Sequence, residues 1–295
     1  MKLAVIVVNF NDEKDTIKYV KKIEEYDVIN KIVVVDNKST NPNCFDNLKS
    51  LCSRKVDVIS SDKNGGYSYG NNYGIKYLEK SGLIFDYYII SNPDIEILEE
   101  AIIESIDFLE KNKDVGVVAP KMLNIEGKRI RRCSWKKRTF IRDLVYSSRF
   151  LELIFYKVLK KGEYSDIEFE QNSLQVDCIS GALFIISKNV YSQIGGFDEN
   201  VFLFYEEDIL SEQLKEKGYL IYSLNNISFK HFESQTIGKS FSYYRKLKEL
   251  YYSKMYYQKT YNKINIFQVL IFKFLYYIRI LEMIIELPIR KIFKF

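Results

Sequence analysis

Short apolar runs alternate with segments of helical period along most of the chain. The runs "LAVIVV" (3–8), "KIVVVD" (31–36), "VDVIS" (56–60), "YYIIS" (87–91) and "VGVVAP" (115–120) are rich in Val and Ile and bounded by polar residues, which predicts strands. Between the first two, Ile17, Val20, Ile23 and Tyr26 recur every three residues, which predicts a helix over 16–26. Strand–helix alternation of this kind predicts an α/β architecture, a mostly parallel sheet with helices on both faces. A second block follows: a basic, irregular stretch from Asn124 to about Gln175, a strand "ALFIIS" (182–187), a Gly195-Gly196 turn, a helix over 207–217 and a strand "LIYSLN" (220–225). From Ser240 onward the pattern is helical, with no Gly and only Pro288.

Polar residues collect where the first four strands end. In open α/β sheets ligands bind beyond the carboxyl ends of the strands. Strand one ends in Asn9-Phe10-Asn11, strand two in Asp36, Asn37, Ser39 and Thr40, strand three in a loop from Asn64 to Gly74, and strand four in Asn92-Pro93-Asp94. Pro93 has no N–H and would interrupt a central ladder, so the fourth strand must stop there. Asp36 reads either as a turn residue or as a carboxylate for a base or ribose. The Asn64–Gly74 loop, with Gly65, Gly66, Gly70 and Gly74, reads either as a structural turn or as backbone that comes close to a phosphate. It lacks the Gly-x-Gly-x-x-Gly and Walker patterns.

Composition narrows the classes. At 295 residues, 47% hydrophobic and 28% charged, the chain is long enough for one main α/β domain and a smaller appendage. A net charge of +5, spread apart from a cluster over 128–142 and the last third, gives no reason to expect nucleic acid. Cys44, Cys52, Cys133 and Cys178 form no Cys-x-x-Cys pair, and the single His231 cannot complete a zinc site with them, which fits a reducing cytosol. The first apolar run is too short for a secretory signal. Lys273, Arg279 and Glu282 interrupt the best candidate for a membrane span, which needs roughly 18 uncharged apolar residues. The 24 Tyr and 20 Phe hint at a surface role.

In order, "VVNFND", "VVVDNKST", "NGGYSYGNNYGI", "SNPD", "SGALFIISKNVYSQIGGFDE", "FLFYEEDILSEQLKEKGY" and "KHFES" resemble the segments of bacterial family 2 glycosyltransferases, in particular the rhamnosyltransferase-like branch of surface polysaccharide synthesis. The resemblance spans residues 3 to 235. It implies a glycosyltransferase A-type fold over 1–239, with a nucleotide-binding half (1–95) and an acceptor half (96–239), and a helical region over 240–295. It implies transfer of a sugar, with inversion, from a UDP- or dTDP-sugar to a hydroxyl of a glycan or polyprenyl-linked glycan. By that pattern Asp36 contacts the base, and Asn9, Asn11 and the loop residues Asn64, Gly66, Tyr67, Gly70 and Asn71 line the donor pocket. Asn92-Pro93-Asp94 stands where the family has Asp-x-Asp: Asp94 holds Mn²⁺ or Mg²⁺ with phosphate oxygens and water, and Asn92 instead touches the ribose or sugar. Oxygen ligands suit either ion. His231 is either a satisfied structural residue or a neighbour of the metal, and Gly181 lets the chain pass close to the donor sugar.

The base lies among Glu206, Glu207 and Asp208. The ungapped register favours Glu207, and a one-residue shift gives Asp208. The trio also suits a helix N-terminus electrostatically, without any chemistry. A sugar nucleotidyltransferase would need a Gly-rich, Arg/Lys-bearing N-terminal signature that "VVNFNDEKDT" lacks; a catalytically inactive binding protein of the same fold is the other alternative. The tail interleaves Tyr pairs with Lys and Arg and then turns strongly apolar, which suits the inner face of the cell membrane; packing on the catalytic domain or on a second subunit in a homodimer is the alternative.

Overall fold

The computed structural model describes residues 1–232 and 242–293. The elements in chain order are β1 (Leu3–Asn9), α1 (Glu13–Glu24), β2 (Lys31–Asp36), α2 (Cys44–Lys49), β3 (Val56–Ser60), α3 (Tyr67–Lys80), β4 (Tyr87–Ser91), β5 (Ile95–Ile97), α4 (Glu99–Lys111) and β6 (Val115–Leu123). There follow β7 (Ser134–Trp135), α5 (Phe140–Val145), α6 (Arg149–Ile154), α7 (Tyr156–Lys160), β8 (Ser173–Val176), β9 (Cys178–Ile179), β10 (Leu183–Ser187), α8 (Lys188–Gln193), α9 (Glu206–Glu216), β11 (Leu220–His231), α10 (Tyr243–Thr260) and α11 (Ile266–Phe293).

One sheet runs β3-β2-β1-β4-β10-β6-β11-β5, with β8 also on β11. Strands β1 to β4 are mutually parallel, so the polar strand ends predicted above do open on one edge. The ladders β1–β2 and β1–β4 carry Leu3 to Val7 through the middle of the sheet with almost no exposure. Helices cover both faces there, which is why these strands read as unbroken apolar runs. The sheet changes character at β10, which is antiparallel to both β4 and β6. That reversal brings the residues just before β10 to the same edge as the end of β4.

Gly70 and Gly74 let α3 lie close on the sheet. A Cβ at Gly70 would stand 2.8 Å from Val8 Cγ1, and one at Gly74 would stand 2.8 Å from Ile6 Cγ2. Gly70, expected in the donor pocket, is thus a helix–sheet packing residue. Neighbouring Asn72 is buried on the same helix and acts as a hub. Its Nδ2 donates to Phe197 O (2.7 Å) and Glu199 Oε1 (2.8 Å), while its Oδ1 accepts from Phe197 N (3.0 Å) and the Tyr191 hydroxyl (2.8 Å).

The stretch expected to be irregular over 124–175 contains β7, β8 and the short helices α5, α6 and α7. Their periodicity is too short to register, and tertiary contacts hold them. The predicted domain boundary at 239/240 and the first predicted helical residues from Ser240 lie outside the described residues. Helix α10 is no separate appendage. Tyr257 is buried with Val201, Tyr205 and Ile209, and Tyr256 and Tyr261 donate to Asp198 Oδ2 at 2.6 and 2.9 Å. The aromatic residues of this helix that pointed to a surface role therefore largely face inward; Tyr244 and Tyr252 remain exposed.

Asn72→Ala would strand the Phe197 backbone and the Tyr191 hydroxyl in the interior. A loss on the order of 3 kcal/mol in unfolding free energy is expected, measured by urea denaturation.

Candidate active site

The edge at which β1 to β4 end is a network of polar side chains. Asp36, almost wholly buried, accepts from Asn9 Nδ2 at 2.9 Å, from Ser39 N at 3.2 Å and from Ser39 Oγ at 2.5 Å. Asn9 is fully buried, and its Oδ1 accepts from Thr16 Oγ1 at 2.9 Å. It orients Asp36 from behind and acts through it. Asn11, at φ +56°, ties the first loop to the second, accepting from Thr40 N (2.8 Å) and Asn41 N (2.9 Å). Asn37, which sequence reasoning placed at the strand end without a role, donates to Asn64 Oδ1 at 3.2 Å and to Gly66 O at 2.9 Å. Asn71 is buried and its Nδ2 bonds Tyr67 O one turn earlier, so it too supports the loop from within.

Gly66 has a reason to be glycine. Its φ is +91°, and a Cβ there would lie 2.1 Å from Phe202 O. The donor loop thus rests against the segment that leads into α9. One residue on, the Tyr67 hydroxyl donates to Gly181 O. Burial, with Glu207 and Glu206 nearby, pushes the Tyr67 phenol well above its ordinary pKa, so it remains a neutral donor.

The chain break at Pro93 sets up the next group. Strand β4 stops at Ser91, and Ile95–Ile97 begins the short strand β5, antiparallel to the end of β11. This pairing puts His231 opposite Ile95, and His231 Nε2 lies 3.2 Å from Asp94 Oδ2. The two candidate metal residues, far apart in sequence, are therefore neighbours. His231 Nε2 is buried and makes no hydrogen bond among the described residues. A buried imidazole nitrogen beside a carboxylate is a pair of ligand types that fits a divalent cation completing its shell with ligand oxygens. No group of three or more protein His, Cys, Asp or Glu residues able to hold a metal occurs among the described residues.

Asn92 N donates to Ala182 O at 2.8 Å. Gly181 N in turn donates to Glu207 Oε1 at 3.1 Å. The turn before β10 thereby joins the Asn92-Pro93-Asp94 corner to the acidic trio. Immediately before α9, Phe204 and Tyr205 both adopt positive φ, +72° and +71°, a conformation that costs about 1–3 kcal/mol per non-Gly residue. The surroundings hold them there. The Tyr205 ring lies 4.9 Å from the Arg138 guanidinium and 5.4 Å from the Tyr257 ring, and Leu203 O accepts from Ser253 Oγ at 2.7 Å.

The three acids then take different surroundings. Asp208 is buried and accepts from Trp135 Nε1 and Arg138 Nε, each at 3.0 Å. Both its oxygens are committed to these structural donors. Glu207 lines a cavity of ≈ 430 Å³ whose walls include Trp135, Arg138, Ser180 and Tyr205. Burial pushes Glu207 above the ordinary carboxylate range, and Asp208 adds to the shift. Glu206 is pushed well above it by burial and by Glu207. Trp135 and Arg138 were missed in the sequence because the cluster over 128–142 was read only as charge; the sole Trp inside it was the available signal.

Residues 4–182 match the sequence profile of "Glycosyl transferase family 2". The "Low-salt glycan biosynthesis hexosyltransferase Agl10" of Haloferax volcanii is 30% identical over 206 residues, 70% of this chain and 59% of that one. "Rhamnosyltransferase WbbL" of Escherichia coli is 23% identical over 250 residues, 82% of this chain and 89% of that one. Among solved structures, GalNAc-T7 with UDP, GalNAc and Mn²⁺ superposes with a TM-score of 0.61 at 12% identity, over 93% of this chain and 55% of that one. The mannosyltransferase PcManGT from Pyrobaculum calidifontis, with GDP-Man and Mn²⁺, gives 0.54 at 15% identity, over 85% and 62%. The chain thus spans less than two thirds of the Haloferax relative and of both of these structures. The shared fold is the glycosyltransferase A-type fold that the motifs implied. The profile match runs from β1 to the turn before β10 and takes in the whole donor edge, and on that ground the chain belongs to glycosyl transferase family 2.

Proposed function

We propose that the protein is an inverting, divalent-metal-dependent glycosyltransferase. It moves a sugar from a UDP- or dTDP-sugar to a hydroxyl of a glycan or polyprenyl-linked glycan in surface polysaccharide synthesis. The observation that carries this reading is the bonded path Asn92–Ala182–Gly181–Glu207, which ties the metal corner to a carboxylate in an open cavity. The names of the Haloferax and Escherichia relatives support sugar transfer in glycan synthesis.

In this reading Asp36, Asn11 and Asn64 shape the nucleotide end of the cleft, and Gly66 and Tyr67 carry its wall to Gly181. Asp94 and His231 would hold Mn²⁺ or Mg²⁺, which supplies Lewis-acid stabilisation of the diphosphate leaving group. Asn92 stands beside that corner to meet ribose or sugar. Glu207 accepts the proton of the acceptor hydroxyl as that oxygen bonds to the anomeric carbon from the face opposite the departing diphosphate, which inverts the centre. Gly181 N–H holds one carboxylate oxygen and so sets the direction of the other. A raised pKa makes Glu207 a stronger base once ionised. Asp208 acts as the anchor of Arg138 and Trp135. Glu206, protonated far above the usual range, keeps charge from accumulating at the helix start.

Attachment to the inner face of the cell membrane belongs to the same reading. No described helix is long and apolar enough to cross a membrane. Helix α11 nonetheless exposes Phe267, Phe274, Leu281 and Ile285, and α6 exposes Phe150 and Leu153. Glu282 of α11 joins the two, accepting from Ser148 Oγ (2.6 Å) and Arg149 N (2.9 Å) at the start of α6. Exposed Lys157, Lys160 and Lys273 border this apolar face, as suits an anionic lipid surface.

With a panel of nucleotide sugars and Mn²⁺, release of a nucleoside diphosphate is expected, abolished by EDTA and restored by Mn²⁺ or Mg²⁺; pyrophosphate release would instead mark a nucleotidyltransferase. Glu207→Gln should lower turnover by about 10²–10⁴-fold with nucleotide binding kept. The wild-type rate should climb with pH through a midpoint above 4.5, because the base works only when ionised and its folded pKa is raised. Asp208→Asn should instead cost about 1–3 kcal/mol of stability, since Arg138 then keeps only Asp143 at 3.6 Å as a carboxylate partner. A near-normal Glu207→Gln enzyme beside a folded but inactive Asp208→Asn enzyme would transfer the role of base to Asp208. The double variant Phe267→Glu/Phe274→Glu should stop pelleting with anionic vesicles at unchanged solution mass; a drop in mass instead would show that the face is a subunit contact.

A further inference from the structure

Three cavities follow one another from Glu207 to the apolar outer face. The ≈ 430 Å³ cavity over Glu207 shares Tyr146, Glu152, Phe204, Leu250 and Lys254 with a second, of ≈ 220 Å³, between α6, α10 and α11. The second shares Arg149 and Glu152 with a third, of ≈ 420 Å³, that opens beside exposed Leu153 and Tyr156.

Lys254 stands at the first junction. It is only 5% exposed. Its Nζ donates to Ser147 Oγ at 2.9 Å and to the Asp143 backbone carbonyl at 3.3 Å, and it forms no ion pair among the described residues. The Asp143 carboxylate is already engaged by Gln258 Nε2 at 2.6 Å and by Arg138 at 3.6 Å. Arg142, 8% exposed, lines the same cavity as Glu207. Its Nη1 donates to the carbonyls of Lys136 and Lys137, while its Nε has no hydrogen-bond partner among the described residues. Gly162 leaves it room, for a Cβ there would collide with the guanidinium carbon at 1.9 Å.

Two buried cations therefore face one cavity without an ion-pair partner among the described residues, although Glu152 and Glu163 also line it. A buried charge without a directly bonded counter-charge is costly, and burial, with Arg138 adding to it, pushes Lys254 down to about 8 against the pull of Asp143 and Glu152. An apolar side chain of the same length would fit beside Phe272, whose ring centre lies 5.8 Å from Nζ, without that cost. Cations kept in such a place suit an anionic ligand that brings the missing charge. Its surroundings restrict that ligand further. On one side is the carboxylate that would deprotonate an acceptor hydroxyl; on the other the cavities lead to an apolar, lysine-bordered surface.

We propose that Lys254 and Arg142 form an anion subsite that holds the phosphoryl group of a lipid-borne acceptor between the outer apolar face and Glu207. The identity of the acceptor end rests on the transferase reading above; the charge pairing does not. In this arrangement the lipid lies toward α6 and α11, the phosphoryl oxygens meet the Lys254 ammonium and the Arg142 Nε–H, and the sugar hydroxyl reaches the base.

Trp135 is the only tryptophan of the chain and lines the Glu207 cavity, so its fluorescence reports entry there. Titrating the full-length protein with farnesyl diphosphate in EDTA should give a saturable change, with inorganic pyrophosphate and farnesol each binding far more weakly. Lys254→Met should weaken farnesyl diphosphate at least about tenfold, the loss of a charge-assisted contact, while its unfolding temperature stays at or above that of the wild type. Lys254→Arg should retain binding, and Lys254→Gln, which can still bond Ser147, should lose it as Lys254→Met does. Wild-type affinity in folded Lys254→Met and Lys254→Gln proteins overturns the subsite; farnesol or pyrophosphate binding as tightly as farnesyl diphosphate overturns the phosphorylated-lipid assignment. No nucleotide sugar enters the titration, so its failure leaves the transferase reading standing, and a failed transferase assay leaves the titration standing.

Discussion

Everything around the cavity depends on the backbone turn at Ser180–Ala182. Ala182 O accepts from Asn92 N, Gly181 O accepts from Tyr67, and Gly181 N donates to Glu207. Three segments that lie far apart in the chain are held by consecutive peptide groups of a fourth. The turn can do this because β10 runs antiparallel to β4 and β6, so that its start lies at the edge where β4 ends. Gly181 permits the approach: a Cβ there would stand 3.2 Å from Glu207 Oε1 and 3.3 Å from the Tyr67 hydroxyl.

The second constraint is the strained entry to α9. Two consecutive non-glycine residues in the left-handed region persist only where packing leaves them no alternative. Here that packing comes from α10, through Ser253 on Leu203 and Tyr257 on Tyr205. Arg138 connects the strain to the electrostatics, since one guanidinium stacks near Tyr205 and also bonds Asp208. The acids thereby divide: both line the cavity, but Asp208 has its two oxygens engaged by Trp135 and Arg138, whereas Glu207 has one bonded to Gly181 N. A helix that the sequence presents as a tail thus holds the entry to α9 in place.

The strands of the donor half were legible because both faces of β1, β2 and β4 are buried, and a doubly buried strand has to be apolar throughout. The polar strand ends were legible because they interrupt those runs. Strand β5 was not: three residues after a proline have no periodicity, and Ile95–Ile97 is a strand only because Phe229–His231 lies beside it. Asn9, Asn71 and Gly70 are expected in the pocket from their positions, and the structure buries all three. Burial is set by what crosses overhead, and no local pattern records it.

By itself the sequence determined the α/β alternation, the edge at which the polar residues gather and the family to which the chain belongs, because hydrophobic period and strand-end chemistry are local properties. Only the tertiary structure decided that His231 meets Asp94, that Asp208 bonds Arg138 and Trp135 while Glu207 bonds Gly181 N, and that Lys254 is buried without an ion pair among the described residues. Each of these depends on the distance between charges and on what shields them from water. Those distances are created by the pairing of β5 with β11 and by the packing of α10, which join residues far apart in the chain in places where sequence spacing carries no information.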